Sequence, residues 1–200
     1  MTRTPSTLTA LVRAGFSQLS VAQSGLAEGG WEPDVFAPSA HPDASLAAVL
    51  SLRFAHPVEW AKIQRSATAT KRLVLLTGVS TGLTDFLLRR PEQWSLLSKD
   101  LRTLPQAAGW TDTFRDATSG CDTAAAVEAL RVAYRRGLCQ VALFDAQSSQ
   151  PLQVLPLVAA CLADMAGAAL EVALEIARRD HGLEASAVPL TIMGMGKAGA

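Results

Sequence analysis

The sequence predicts a mainly helical chain that passes, at its C-terminal end, into the first strand of an α/β domain. Three observations carry this. Apolar residues recur at helical spacing in one stretch after another. Alanine and leucine are abundant in a composition that is 49% hydrophobic and only 6% aromatic, a bias toward helix. Residues 190–193, with β-branched Thr191 and Ile192, form a short apolar run of the kind a buried strand uses. That run enters a loop with three glycines and one lysine.

The elements follow in order. Leu8, Leu11, Val12, Phe16 and Leu19 share helical spacing and predict one first helix, ended by Gly25 to Gly30. A proline-rich connection from Glu32 to Pro42 follows. A second helix starts near Asp43, carries Leu46, Val49, Leu50, Leu52 and Phe54, and ends near Pro57. His41 and His56 each precede a proline and have no partner at ligand spacing, so they mark boundaries. A third helix over 67–80 carries Leu73, Leu75, Leu76 and Val79. Ser80 or Thr81 caps the next helix; Phe86 and Leu87 face inward there, and Pro91 breaks it. Arg89 and Arg90 are candidate anion contacts or, more simply, a solvated helix end favoured by the helix dipole.

Residues 104–122, with Pro105, Gly109 and Gly120, read as an irregular connection. Asp122 caps a long helix whose stripe is Val127, Leu130, Tyr134, Leu138 and Val141. Glu128 and Arg131 stand at i,i+3 on its other side. Arg131, Arg135 and Arg136 form a basic cluster suited to an acidic partner or to solvent. The last helix is expected from about Pro156 to Asp180, stopped by Gly182. Its expected stripe is Leu155, Val158, Leu162, Met165, Ala169, Ala173 and Ile176, bordered by Cys161. Asp164 and Glu171 lie on one face and are a conceivable acid pair.

The charge balance is even, 18 basic against 18 acidic residues, without the clustered basic excess of a nucleic-acid surface. The cysteines, Cys121, Cys139 and Cys161, are odd in number and widely spaced. They suggest neither a disulfide framework nor a zinc site. The residues after Met1 lack the long apolar core of a secretory signal. The uncharged stretch 146–163 is interrupted by polar residues and prolines, and is shorter than a membrane span needs. A cytoplasmic protein without membrane or nucleic-acid partners is the expectation.

The C-terminal loop offers the chemistry. Gly194, Gly196 and Gly199 let backbone N–H groups approach a phosphate, and Lys197 adds a point charge for the same anion. The spacing is not that of a Walker A loop, since the first required glycine falls on Thr191 and no Ser or Thr follows the lysine. Gly194, Gly196 and Gly199 do keep dinucleotide-fingerprint spacing, but no helix or later acidic residue follows.

The string 192–200, Ile-Met-Gly-Met-Gly-Lys-Ala-Gly-Ala, resembles the start of the nucleotidyltransferase motif of bifunctional glutamine synthetase adenylyltransferase/adenylyl-removing enzymes. In that family a strand ends in Gly-Met-Gly-Lys-x-Gly and continues into an Arg-Glu-Leu-Asn-Tyr type segment and a Ser-Asp-x-Asp acid pair. Two departures stand out: Gly196-Lys197 where many relatives carry Gly-Ser, and Ala198 where Leu or Cys is commoner. Residues 80–94, with a basic helix end, Pro91 and Trp94, also resemble the family, as do 134–138, 162–166 and 173–178. The likeness runs from about Leu73 to Ala200.

The resemblance implies residues 1–185 as a helical N-terminal region of the adenylyl-removing half. It implies residues 186–200 as the start of a truncated α/β nucleotidyltransferase domain similar to polymerase β. That half would remove AMP from an adenylylated tyrosine of glutamine synthetase, with phosphate as acceptor and ADP as product. A second half would add AMP from ATP. Gly194, Gly196, Lys197 and Gly199 would contact phosphate or nucleotide. Mg²⁺ would be held by the acid pair expected beyond Ala200, so no catalytic or metal-binding residue is expected within the 200 residues. A nitrogen-signalling regulatory protein is a further implied partner. Two other readings remain: a helical regulatory or interaction module, and a different nucleotide-binding α/β enzyme with a helical preface.

Overall fold

Gly15 decides the start of the chain. In the computed structural model, which describes residues 8–184, its φ is +89°. That left-handed value interrupts a helix and suits a residue without Cβ. The single first helix expected from the spacing is therefore two, α1 (Leu8–Arg13) and α2 (Leu19–Gly29). Leu11 and Phe16 are buried while Leu8 and Val12 stay exposed, so the stripe read across the break is not one face. A short 3₁₀ turn, Pro33–Val35, follows α2.

The chain divides into two units, Met1–Asp100 and Leu101–Ala200. The first continues with α3 (Pro42–Ala55), α4 (Pro57–Ile63), α5 (Ala67–Val79), α6 (Thr81–Arg89) and a 3₁₀ stretch, Pro91–Ser98. Pro42, Pro57 and Pro91 each stand at an N-terminal helical position, where the missing N–H costs nothing. Ser66 and Ser80 accept the N–H of Ala69 and of Leu83, each at 3.2 Å, and so cap α5 and α6. Such caps contribute about 1 kcal/mol each. The sequence reading passed over α4, whose only inward residues are Trp60 and Ile63.

The core of this unit sits around α5, buried from Leu73 through Gly78. It packs against α3, α6 and the Pro91–Ser98 stretch. Three polar details let an interior helix be tolerated there. Ser45 of α3 donates to the Val74 carbonyl at 2.8 Å and shares a 2.8 Å bond with Thr77. Buried Arg72 donates to the carbonyls of Leu97 and Lys99 at 2.9 and 2.5 Å, satisfying the chain end that follows α6. Gly78 faces Ser39 so closely that a Cβ would lie 1.9 Å from its Oγ. Trp31 meets Phe36 and Trp60 edge-on at centroid distances of 5.5 and 5.6 Å. Trp94 is buried and donates its Nε1–H to the Leu87 carbonyl at 3.0 Å.

The second unit is three helices, α7 (Ala107–Thr118), α8 (Thr123–Ala146) and α9 (Pro151–Asp180), each packed on the other two. The expectation of an irregular 104–122 segment is overturned by α7. Trp110 and Phe114, one turn apart, are both buried and supply its inner face. Gly120 at φ +70° makes the turn out of it. Asp122 caps α8 as expected, accepting the Ala125 N–H at 2.8 Å. The α8 stripe also holds: Leu130 and Val141 are buried, and Val127, Tyr134 and Leu138 pack against the same core.

α9 departs from expectation twice. It begins at Pro151, so Pro156 lies inside it. The carbonyl that Pro156 leaves without its helical donor belongs to Leu152, which is 83% exposed. The buried stripe is Val158, Cys161, Met165, Ala168, Val172 and Ile176. It is rotated from the expected one, so Cys161 is inside while Leu155 and Leu162 are outside.

All the described elements are helical; no strand occurs among the described residues. The strand expected at 190–193, and the α/β domain expected from 186, lie outside the described residues.

One packing contact sets this unit. A Cβ on Gly137 of α8 would stand 2.7 Å from Met165 Sδ and 3.0 Å from the Trp110 ring. Gly137→Val should therefore destabilise the protein by about 1–3 kcal/mol through overpacking. A thermal unfolding curve reads this directly; an unchanged midpoint would mean that Trp110 and Met165 shift aside without cost.

Candidate functional site

Gly194, Gly196, Lys197 and Gly199 lie outside the described residues. The described part builds the approach to them. α9 ends with Gly182 at φ +62°. The Gly182 N–H donates to the Arg179 carbonyl at 3.2 Å and the Leu183 N–H to the Arg178 carbonyl at 2.9 Å. This is the Schellman arrangement, which satisfies the last carbonyls and turns the chain off the helix axis. The glycine stop read from the sequence is thus correct. Basic Arg178 and Arg179 fall in the last turn, where the helix dipole favours them.

The other candidate groups are accounted for structurally. Arg115 of α7 bridges two carboxylates of α9. Its Nη2 donates to Glu171 Oε1 and to Glu175 Oε1, both at 2.6 Å, and its Nε donates to Glu175 at 3.1 Å. The Glu175 hydrogen bond above all, with the charge of both carboxylates, pushes the guanidinium above its ordinary value. Glu171 is therefore a committed acceptor, and the conceivable Asp164–Glu171 acid pair does not form a proton-transfer site. At the last residue of α9, Thr123 Oγ1 donates to Asp180 at 2.7 Å and ties the start of α8 to it. Arg89 pairs with Asp85 of its own helix at 3.8 Å, with both side chains largely exposed. That is a solvated helix end rather than an anion site.

The three cysteines are free thiols. Burial pushes the Cys139 thiol up to about 12, against the pull of Arg136 and Arg135. Burial likewise lowers the Arg136 guanidinium from its ordinary value. Burial raises Cys161 too, although Trp110 Nε1–H donates to its Sγ at 3.3 Å. Neither is a thiolate nucleophile at neutral pH. Among the described residues no group of three His, Cys, Asp or Glu side chains is placed to hold a metal ion.

A groove of about 1040 Å³ runs along α2 and α3, lined by Ser17, Gln18, Ser24, Glu28, His41 and Asp43 among others. Its best-held group is Asp43, which the sequence marked only as a helix start. The carboxylate accepts the Ser17 N–H at 2.8 Å, the Ser17 hydroxyl at 2.7 Å and the Gln18 N–H at 3.2 Å. Burial would raise its pKa, but these three bonds hold it below the ordinary 3.8. Asp43 fixes the entry to α2 from a neighbouring helix.

No family model and no solved structure matches the chain. Curated proteins do. The bifunctional glutamine synthetase adenylyltransferase/adenylyl-removing enzyme of Leifsonia xyli is 37% identical over an alignment that takes in 100% of this chain and 22% of that protein. The enzyme of the same name from Mycolicibacterium smegmatis is 33% identical, over 86% of this chain and 19% of its own length. That from Streptomyces avermitilis is 32% identical, over 98% of this chain and 20% of its own length. Over its whole length this chain is homologous to a segment of that family. It spans about one fifth of the length of the curated relatives it matches. The likeness read from Leu73 onward extends to the residues before it, since the Leifsonia xyli alignment takes in the entire chain.

Two solution measurements follow from the described groups. Asp43→Ala should lower stability by a constant amount above pH 3.8. The difference from the parent should shrink as pH falls below that value, because the folded carboxyl titrates lower than the unfolded one. Urea titrations across pH 2 to 7 check it; a gap that persists undiminished at the lowest pH would remove the carboxylate from the account. Alkylation followed by mass spectrometry should label half-buried Cys121 well before buried Cys139 and Cys161.

Proposed function

We propose that this chain is the N-terminal portion of an enzyme that reversibly adenylylates glutamine synthetase, and that it leads into the half that removes AMP. The observation that carries the reading is the homology to the bifunctional enzymes along the entire chain. The Gly-Met-Gly-Lys string of that family at 194–197 supports it.

In the proposed reaction a phosphate oxygen attacks the phosphorus of the adenylyl-tyrosine. The bond from phosphorus to the phenolic oxygen breaks, ADP leaves, and the tyrosine recovers its proton. Phosphoryl transfer of this kind depends on positioning and charge stabilisation rather than on a protein nucleophile. Backbone N–H groups around Gly194, Gly196 and Gly199 would cradle the phosphate, with Lys197 as a nearby cation. Mg²⁺ would neutralise charge on the transferring group, held by an acid pair beyond Ala200; no cluster among the described residues is placed to hold it. Glutamine synthetase, ATP or ADP, phosphate and a nitrogen-signalling protein are the proposed partners, in the cytoplasm. A second reading is a helical regulatory or interaction module.

Two experiments separate these. Residues 1–200, mixed with adenylylated glutamine synthetase, phosphate and Mg²⁺, should release no ADP, whereas a chain extended through the whole first nucleotidyltransferase half should release it. ADP from the 200-residue chain would place the chemistry in the helices. Failure of the folded, extended chain would count against the adenylyl-removing assignment. In the extended enzyme, Lys197→Ala should raise the phosphate concentration needed for AMP removal; an unchanged phosphate dependence would mean that the lysine is only solvated.

A further inference from the structure

We draw no further inference here: the strongest candidate, the exposed apolar stripe of α9 that carries Leu155, Leu162 and Leu170, is an unpartnered helix face, and nothing among the described residues shows what covers it.

Discussion

The second unit depends on a close approach that only glycine permits. The Trp110 ring of α7 and the Met165 side chain of α9 both press on α8 where Gly137 has no Cβ. A tryptophan thereby fills the joint between three helices, with its Nε1–H satisfied by Cys161. The rotation of α9 about its own axis follows from that fit. Once Met165 and Cys161 are turned inward, Glu171 and Glu175 come opposite Arg115. The leucines at 155, 162 and 170 are then left on the outside.

The first unit obeys a related constraint. A helix buried over most of its length, α5, brings polar groups with it, and each must find a partner away from water. Arg72 uses backbone carbonyls, Ser45 and Thr77 bond each other, and Ser39 rests against Gly78. Among the described residues no buried side-chain nitrogen or oxygen lacks a hydrogen-bond partner. Stability here is a matter of steric and polar fit as much as of apolar area.

Punctuation was the most legible part of the sequence. Ser80, Pro91, Asp122 and Gly182 act locally, through one backbone group or one φ value, and each sits where its chemistry placed it. Short helices with a two-residue inner face were not legible. Among apolar residues α4 buries Trp60 and Ile63, and α7 buries Trp110 and Phe114, set among polar neighbours and a glycine. The stripe of α9 was legible as apolar but not as to which face is buried, because both faces are apolar and periodicity needs a polar contrast. The Arg115 bridge lies 56 and 60 residues from its partners, and nothing local announces it. The glycine loop is the reverse case: Gly194, Gly196, Lys197 and Gly199 are plain in the sequence, and the described helices supply the approach to them rather than the loop itself.

The contact between Trp110 and Cys161 also has an optical consequence. A thiol sulfur 3.3 Å from an indole nitrogen is a contact quencher of tryptophan emission. Trp31, Trp60 and Trp94 all belong to the first unit, and Trp110 is the one indole of the second. The four tryptophans thus divide into a group of three and one whose emission is held dark by a neighbour 51 residues away. Separation of α7 from α9 would light that residue. The second unit therefore carries its own fluorescent gauge of helix docking, with no label added.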